Sequence, residues 1–109
     1  MPKPPSEILP GTLDMLILRV LARESLHGYG IAQRLKELSA DVLQVGESSL
    51  YPALQRLLLN DYVEAEWSPS ENNRRARYYT ITKQGRRALG DEVDKWKRFA
   101  ATMELILET

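Results

Sequence analysis

The apolar residues of this chain change their repeat twice, and that change restricts the possible folds more than any other feature. From Thr12 to Leu59 they recur three and four apart, from Val63 to Thr82 they alternate, and from Lys83 onward they follow a heptad. Spacings of three and four line up one face of a helix, whereas alternation lines up one face of a strand. The chain therefore reads as three helices, a pair of strands and one long closing helix.

The first helix is expected to be capped by Thr12 and to run to about Glu24, with Leu13, Leu16, Ile17, Val20 and Leu21 facing inward. Met15 and Leu18 add a second apolar surface, which predicts burial against two neighbours, the second of them another subunit. Ser25-Leu26-His27-Gly28 breaks the pattern before a second helix over Tyr29–Leu38. A third helix begins at Ser48 or Ser49, with Leu50, Ala53, Leu54, Leu57 and Leu58 on its inner face. Pro52 points to that start, because with Ser49 as cap it stands in the first turn, where no helical hydrogen bond is lost.

Val63, Ala65 and Trp67 alternate with Glu64 and Glu66, as in a strand with one buried face. SPSENNRRA then supplies a long hairpin tip before a second strand over Arg77–Thr82. Thr82 is the expected cap of the closing helix, in which Leu89, Val93, Trp96, Ala100, Met103 and Leu107 form a heptad seam. A helix of about 26 residues is a rod of roughly 39 Å, longer than a domain of this size can cover.

With 109 residues, 43% hydrophobic and 28% charged, the chain can build one modest core without disulfides or a structural metal. It has no Cys, and His27 is its one imidazole, so thiol chemistry and the usual zinc ligand sets are excluded; His27 is read as a turn residue. Ser48 and Ser49 have no nearby base and no Gly-rich phosphate loop occurs, so neither catalysis nor a cofactor is expected. The longest apolar run ends at Arg19, far short of the roughly 20 residues a membrane span needs. Residues 1–10 read as a proline-rich arm without the apolar stretch of a signal peptide, and a cytoplasmic protein is expected.

Three helices followed by a hairpin is the order of a winged helix-turn-helix: mainly α with a small β-hairpin wing, here over 11–82, followed by a dimerisation helix over 83–109. The charges support it. Fifteen basic and fifteen acidic groups cancel, yet residues 72–87 hold six basic groups and no acidic one. Arg74, Arg75, Arg77 and Lys83 are expected to follow the phosphates of double-stranded DNA or to place Arg in a narrow minor groove. On the third helix Tyr51, Gln55 and Arg56 are the candidate base readers, since Gln can bond adenine edges and Arg guanine. Ser48 and Ser49, near the helix start, suit phosphate. The alternative is a winged helix that docks proteins without specific DNA binding, on the strength of the acidic Glu64, Glu66, Glu71, Asp91, Glu92 and Asp94. No signature of an RNA-binding module occurs.

The segments LPGTLDMLILRVL, HGYGIAQRL, GESSLYPALQRLLLNDYV and RRARYYTITKQGRRAL, with the long last helix, resemble the PadR family of bacterial transcriptional regulators over nearly the whole chain. LYPAL in the third helix and YYTIT before a Gly are the specific parts. The resemblance implies a homodimeric repressor of the short-tailed branch, paired through its last helix together with the first, on a near-palindromic operator. It also implies that Arg74, Arg75 and Arg77 are the DNA-contacting tip of the wing. Met15, Leu18, Leu89, Val93, Trp96, Ala100, Met103 and Leu107 are the expected dimer residues. Because members of this family often sense aromatic compounds in the dimer cleft, a flat aromatic effector is expected at Trp96, beside the small Ala100. The chain departs from its relatives at Leu57-Leu58-Leu59-Asn60-Asp61, where they more often carry charged residues and Gly, so the turn into the wing needs its own account.

Overall fold

The computed structural model describes residues 11–109; the proline-rich arm expected over 1–10 lies outside the described residues. Helix α1 spans Thr12–Leu21, strand β1 Leu26–His27, helix α2 Gly28–Leu38 and helix α3 Glu47–Leu59. Strands β2 (Val63–Pro69) and β3 (Arg75–Ile81) follow, then helix α4 (Lys83–Leu107). The order of elements is the expected one, with one addition. The break at Ser25–Gly28 contains a strand, so the sheet has three antiparallel strands in the order β1-β3-β2, with Leu26 opposite Tyr79 and His27 opposite Tyr78.

Helix α1 is the centre of the core. Leu13, Met15, Ile17, Leu18, Val20 and Leu21 are buried, and α1 touches α2, α3, α4 and β3 of its own chain. The breadth of its apolar surface is largely satisfied within one protomer: Leu18 is 2% exposed, which leaves it little to offer a second subunit, and Met15 is buried except where it borders the surface beside α4. The helix is also shorter than expected. Gly11, in a left-handed conformation at φ 86°, is its cap and Thr12 its first residue; the helix ends at Leu21, with Ala22 as C-cap. The Ala22 carbonyl accepts from Arg86 Nη1 at 3.4 Å.

At α2 the cap is His27, whose Nδ1 accepts from the Gly30 N–H at 3.0 Å. Its ring meets Tyr78 edge-on with centroids 5.1 Å apart, so the imidazole locks β1, α2 and β3 together. Helix α3 starts earlier than Pro52 suggests. Gly46 is the cap and no side chain supplies a capping bond, so neither serine caps the helix. Pro52 then stands at an exposed position well inside α3, where it deprives the carbonyl of exposed Ser48 of its helical donor, a cost offset by the buried row Leu50, Ala53, Leu54 and Leu57.

The unusual turn after α3 closes without glycine. The Asp61 N–H donates to Leu58 O at 3.0 Å and the Tyr62 N–H to Leu57 O at 2.9 Å, the two bonds of a Schellman ending. Asp61 takes the left-handed position at φ 60°, which a short polar side chain tolerates better than most. Thr82 caps α4 as expected, accepting from Gly85 N–H at 3.0 Å, while its hydroxyl donates to the Asp61 carbonyl at 2.7 Å. The root of the wing and the start of α4 are therefore one hydrogen-bonded unit.

Candidate nucleic-acid interface

Helix α3 buries Leu50, Ala53, Leu54 and Leu57 and leaves Ser48, Ser49, Tyr51, Pro52, Gln55, Arg56 and Leu59 outward. Successive residues turn by about 100°, which puts Ser48, Pro52 and Gln55 near the middle of the outer face and Tyr51 and Arg56 on opposite flanks. Tyr51 leans toward α2. A Cβ on Gly28 would stand 2.8 Å from the Tyr51 hydroxyl, so glycine at the start of α2 lets the ring lie where it does and a larger residue would make it shift. Arg56 leans toward α1, where Nη2 and Nε hold the two oxygens of Asp14 at 2.7 and 3.1 Å. That hydrogen bond and the adjacent charge push the Arg56 pKa up, and the guanidinium is engaged rather than free to read bases. Gln55 is the candidate reader nearest the centre of the outer face.

The hairpin supplies the other wall. Val63 pairs with Ile81, Ala65 with Tyr79, Trp67 with Arg77 and Pro69 with Arg75, so these eight side chains share one face. At the root that face is core, with Val63, Tyr79 and Ile81 buried; at the tip it leaves the core, and Trp67 is 58% exposed. This corrects the expectation of a fully buried inner face. Beyond Pro69 the tip turns through Asn73 at φ 60°, with Ser70 N–H donating to Arg74 O at 2.6 Å. Pro69 is tolerated because β2 is an edge strand.

Between the two walls lies a cleft of about 580 Å³ lined by Tyr51, Trp67, Arg74, Arg75 and Arg77, together with His27, Tyr29 and Glu71. The Arg75 guanidinium lies 5.8 Å from the Trp67 ring centroid and that of Arg77 5.8 Å from Tyr79. The structure thus brings together four of the nine residues picked from the sequence. Ser48, Ser49, Gln55 and Arg56 stand on α3 outside the cleft lining. Lys83 lies elsewhere, in a hollow at the hairpin root with Asp61, Glu64 and Arg87. Glu64 and Glu66 pair with Thr80 and Tyr78 on the opposite face of the hairpin, away from the arginines. His27, Tyr29 and Trp67 were not read as site residues; the exposure of Tyr29, 73%, is a property of the fold and leaves no mark in the sequence.

Helix α4 divides at Val93. Leu89 is buried and Val93 half-buried against the protomer's own core. Beyond them Trp96 is 39% and Phe99 55% exposed, and Met103, Ile106 and Leu107 are open as well. Trp96, Phe99, Met103 and Ile106 stand 3, 4 and 3 apart, a heptad stripe that the seam counted from sequence missed in part. The Trp96 and Phe99 rings are 6.4 Å apart and border a shallow hollow of about 240 Å³ with Met15 at the start of α1.

Residues 17–91 match the Transcriptional regulator PadR-like family. The chain belongs to that family. An uncharacterised protein of Lysinibacillus sphaericus is 30% identical over 103 residues, covering 94% of each chain. Among solved structures, a PadR family transcriptional regulator from Eggerthella lenta superposes with a TM-score of 0.79 at 29% identity, covering 91% of this chain and 84% of the other. A PadR family transcription regulator from Clostridium difficile gives 0.77 at 26% identity, covering 89% and 99%. The four helices, small sheet and long last helix are thus a PadR-type winged helix, in a family of transcriptional regulators and not of enzymes. Among the described residues no helix is long and apolar enough to cross a membrane.

Proposed function

We propose that this chain is a homodimeric repressor that binds a near-palindromic operator in the cytoplasm and is released by a flat aromatic effector. The observation that carries the DNA assignment is the cleft in which Arg74, Arg75 and Arg77 of the wing face Tyr51 of α3. Helix α3 enters the major groove with Gln55 toward the bases, Ser48 and Ser49 toward phosphate, and the wing follows the flanking backbone. Arg56 reaches a base only by giving up Asp14. Lys83 adds a weaker, peripheral attraction.

The dimer forms through the outer half of α4, where Trp96, Phe99, Met103, Ile106 and Leu107 leave a run of exposed apolar side chains of the kind that marks a protein–protein contact. The effector packs against Trp96. The hollow there, about 240 Å³, is below the roughly 300–1,000 Å³ of an ordinary ligand site, so a two-fold partner is needed to complete it. An effector shifts repression only by binding the DNA-competent and incompetent dimers unequally.

Selection of bound fragments from genomic DNA of the source organism tests the reading. The expected product is a near-palindrome with half-sites about one helical turn, roughly 34 Å, apart. Recovery of fragments with no shared sequence would contradict it.

A further inference from the structure

We propose that Trp67 is itself a DNA contact: its indole, braced by Arg75, packs against the deoxyribose of the strand that crosses the cleft between the wing and α3. The proposal rests on the DNA reading above and adds an uncharged contact to a site otherwise described by its arginines.

Trp67 continues the series Val63 and Ala65 on the inner face of β2, but the hairpin has run past the core by the time it is reached. An indole left 58% exposed gains little from burial, and it keeps apolar surface in water among three arginines. Its geometry is nevertheless controlled. Arg77 stands directly across from it on β3, and the Arg75 guanidinium lies 5.8 Å from its centroid, where a cation is attracted to the ring. The stack limits the orientation of the ring and leaves the rest of its surface toward the cleft.

The cleft's own chemistry names the occupant. Three arginines against the single carboxylate of Glu71 keep it positive toward a polyanion. Arginines beside an aromatic plate match a chain in which charged phosphates alternate with apolar sugar faces. A nucleic-acid backbone has that alternation, and a strand lying between a helix in the major groove and a wing beside it must cross this cleft.

Wild type, Trp67→Ala, Trp67→Phe and Arg75→Ala are titrated with a fluorescein-labelled duplex of about three helical turns over a salt series. Trp67→Ala is expected to weaken binding on the order of tenfold at every salt concentration without changing the slope of log K against log salt. Trp67→Phe recovers most of that loss, and Arg75→Ala flattens the slope by about one for each phosphate that is no longer neutralised. In a Trp96→Phe protein Trp67 is the remaining tryptophan, and its emission shifts when the duplex is added. That arm leaves the wing intact, so it decides the question even if Trp67→Ala folds poorly. A duplex that binds without moving Trp67 emission, or that binds a folded Trp67→Ala as tightly as wild type, would overturn the contact and leave DNA binding standing. A wild-type protein that binds no duplex would remove the DNA reading, and the contact with it.

Discussion

Gly85 and Gly90 both stand in α4, yet alanine at the two positions is expected to change stability in opposite directions. Inside a helix Ala is favoured over Gly by about 1 kcal/mol. Gly90 is exposed and a Cβ there meets nothing within 4 Å, so Gly90→Ala keeps that gain. Gly85 is buried, and a Cβ there collides with the Tyr62 carbonyl and comes within 2.8 Å of Ile81 Cγ1. The carbonyl cannot easily retreat, because it accepts the Thr82 N–H at 3.0 Å. Overpacking costs about 1–3 kcal/mol, and a clash with backbone belongs at the upper end; less the propensity gain, a net loss of about 2 kcal/mol remains. Thermal melts followed by helical circular dichroism, at one protomer concentration because association shifts Tm, read both effects. Gly90→Ala should raise Tm by roughly 4 °C and Gly85→Ala lower it by roughly 8 °C or more. A rise in Tm with Gly85→Ala as well would refute the close approach of α4 to the entry of β2.

The double change Phe99→Lys with Met103→Lys places two charges on the open stripe of α4 and should give monomers in sedimentation at micromolar concentration, with helical content retained; a dimer that survives it would move the interface elsewhere. Thr82→Ala removes the cap of α4 and its tie to Asp61, and urea denaturation should record a loss of about 1 kcal/mol or more. A double-mutant cycle over Asp14→Ala and Arg56→Ala should give a coupling of about 0.5 kcal/mol that shrinks as salt is added, since the pair is largely exposed; zero coupling at low salt would mean that Arg56 is not held by Asp14.

Where a residue type and a change of period coincide, the sequence was sufficient: Thr82 ends the alternation, begins the heptad and is the cap found in the structure. Strand β1 was hidden because two residues cannot display a period, and its pairing with Tyr78 and Tyr79 is set by chain more than fifty positions away. Alternation places Trp67 on the inner face of the hairpin correctly, but it does not reveal how far the core extends beneath that face. The same gap holds at Met15 and Leu18, where apolar breadth on α1 signals several neighbours without saying to which chain they belong. Arg56 carries no sign of Asp14, a partner 42 positions earlier. Phe99 and Ile106 fall outside a single seam traced along α4, because a helix that has left its core can expose two adjacent apolar rows.

The most direct test of the account is the salt dependence of duplex binding for the wild-type protein and for the triple variant in which Arg74, Arg75 and Arg77 are all alanine. Each phosphate contact contributes about 0.9 to the slope of log K against log salt. Two wings with three arginines each should therefore make the slope of the variant shallower by about 5, with a large loss of affinity at low salt. An unchanged slope would contradict the assignment of the wing cleft as the DNA-binding surface.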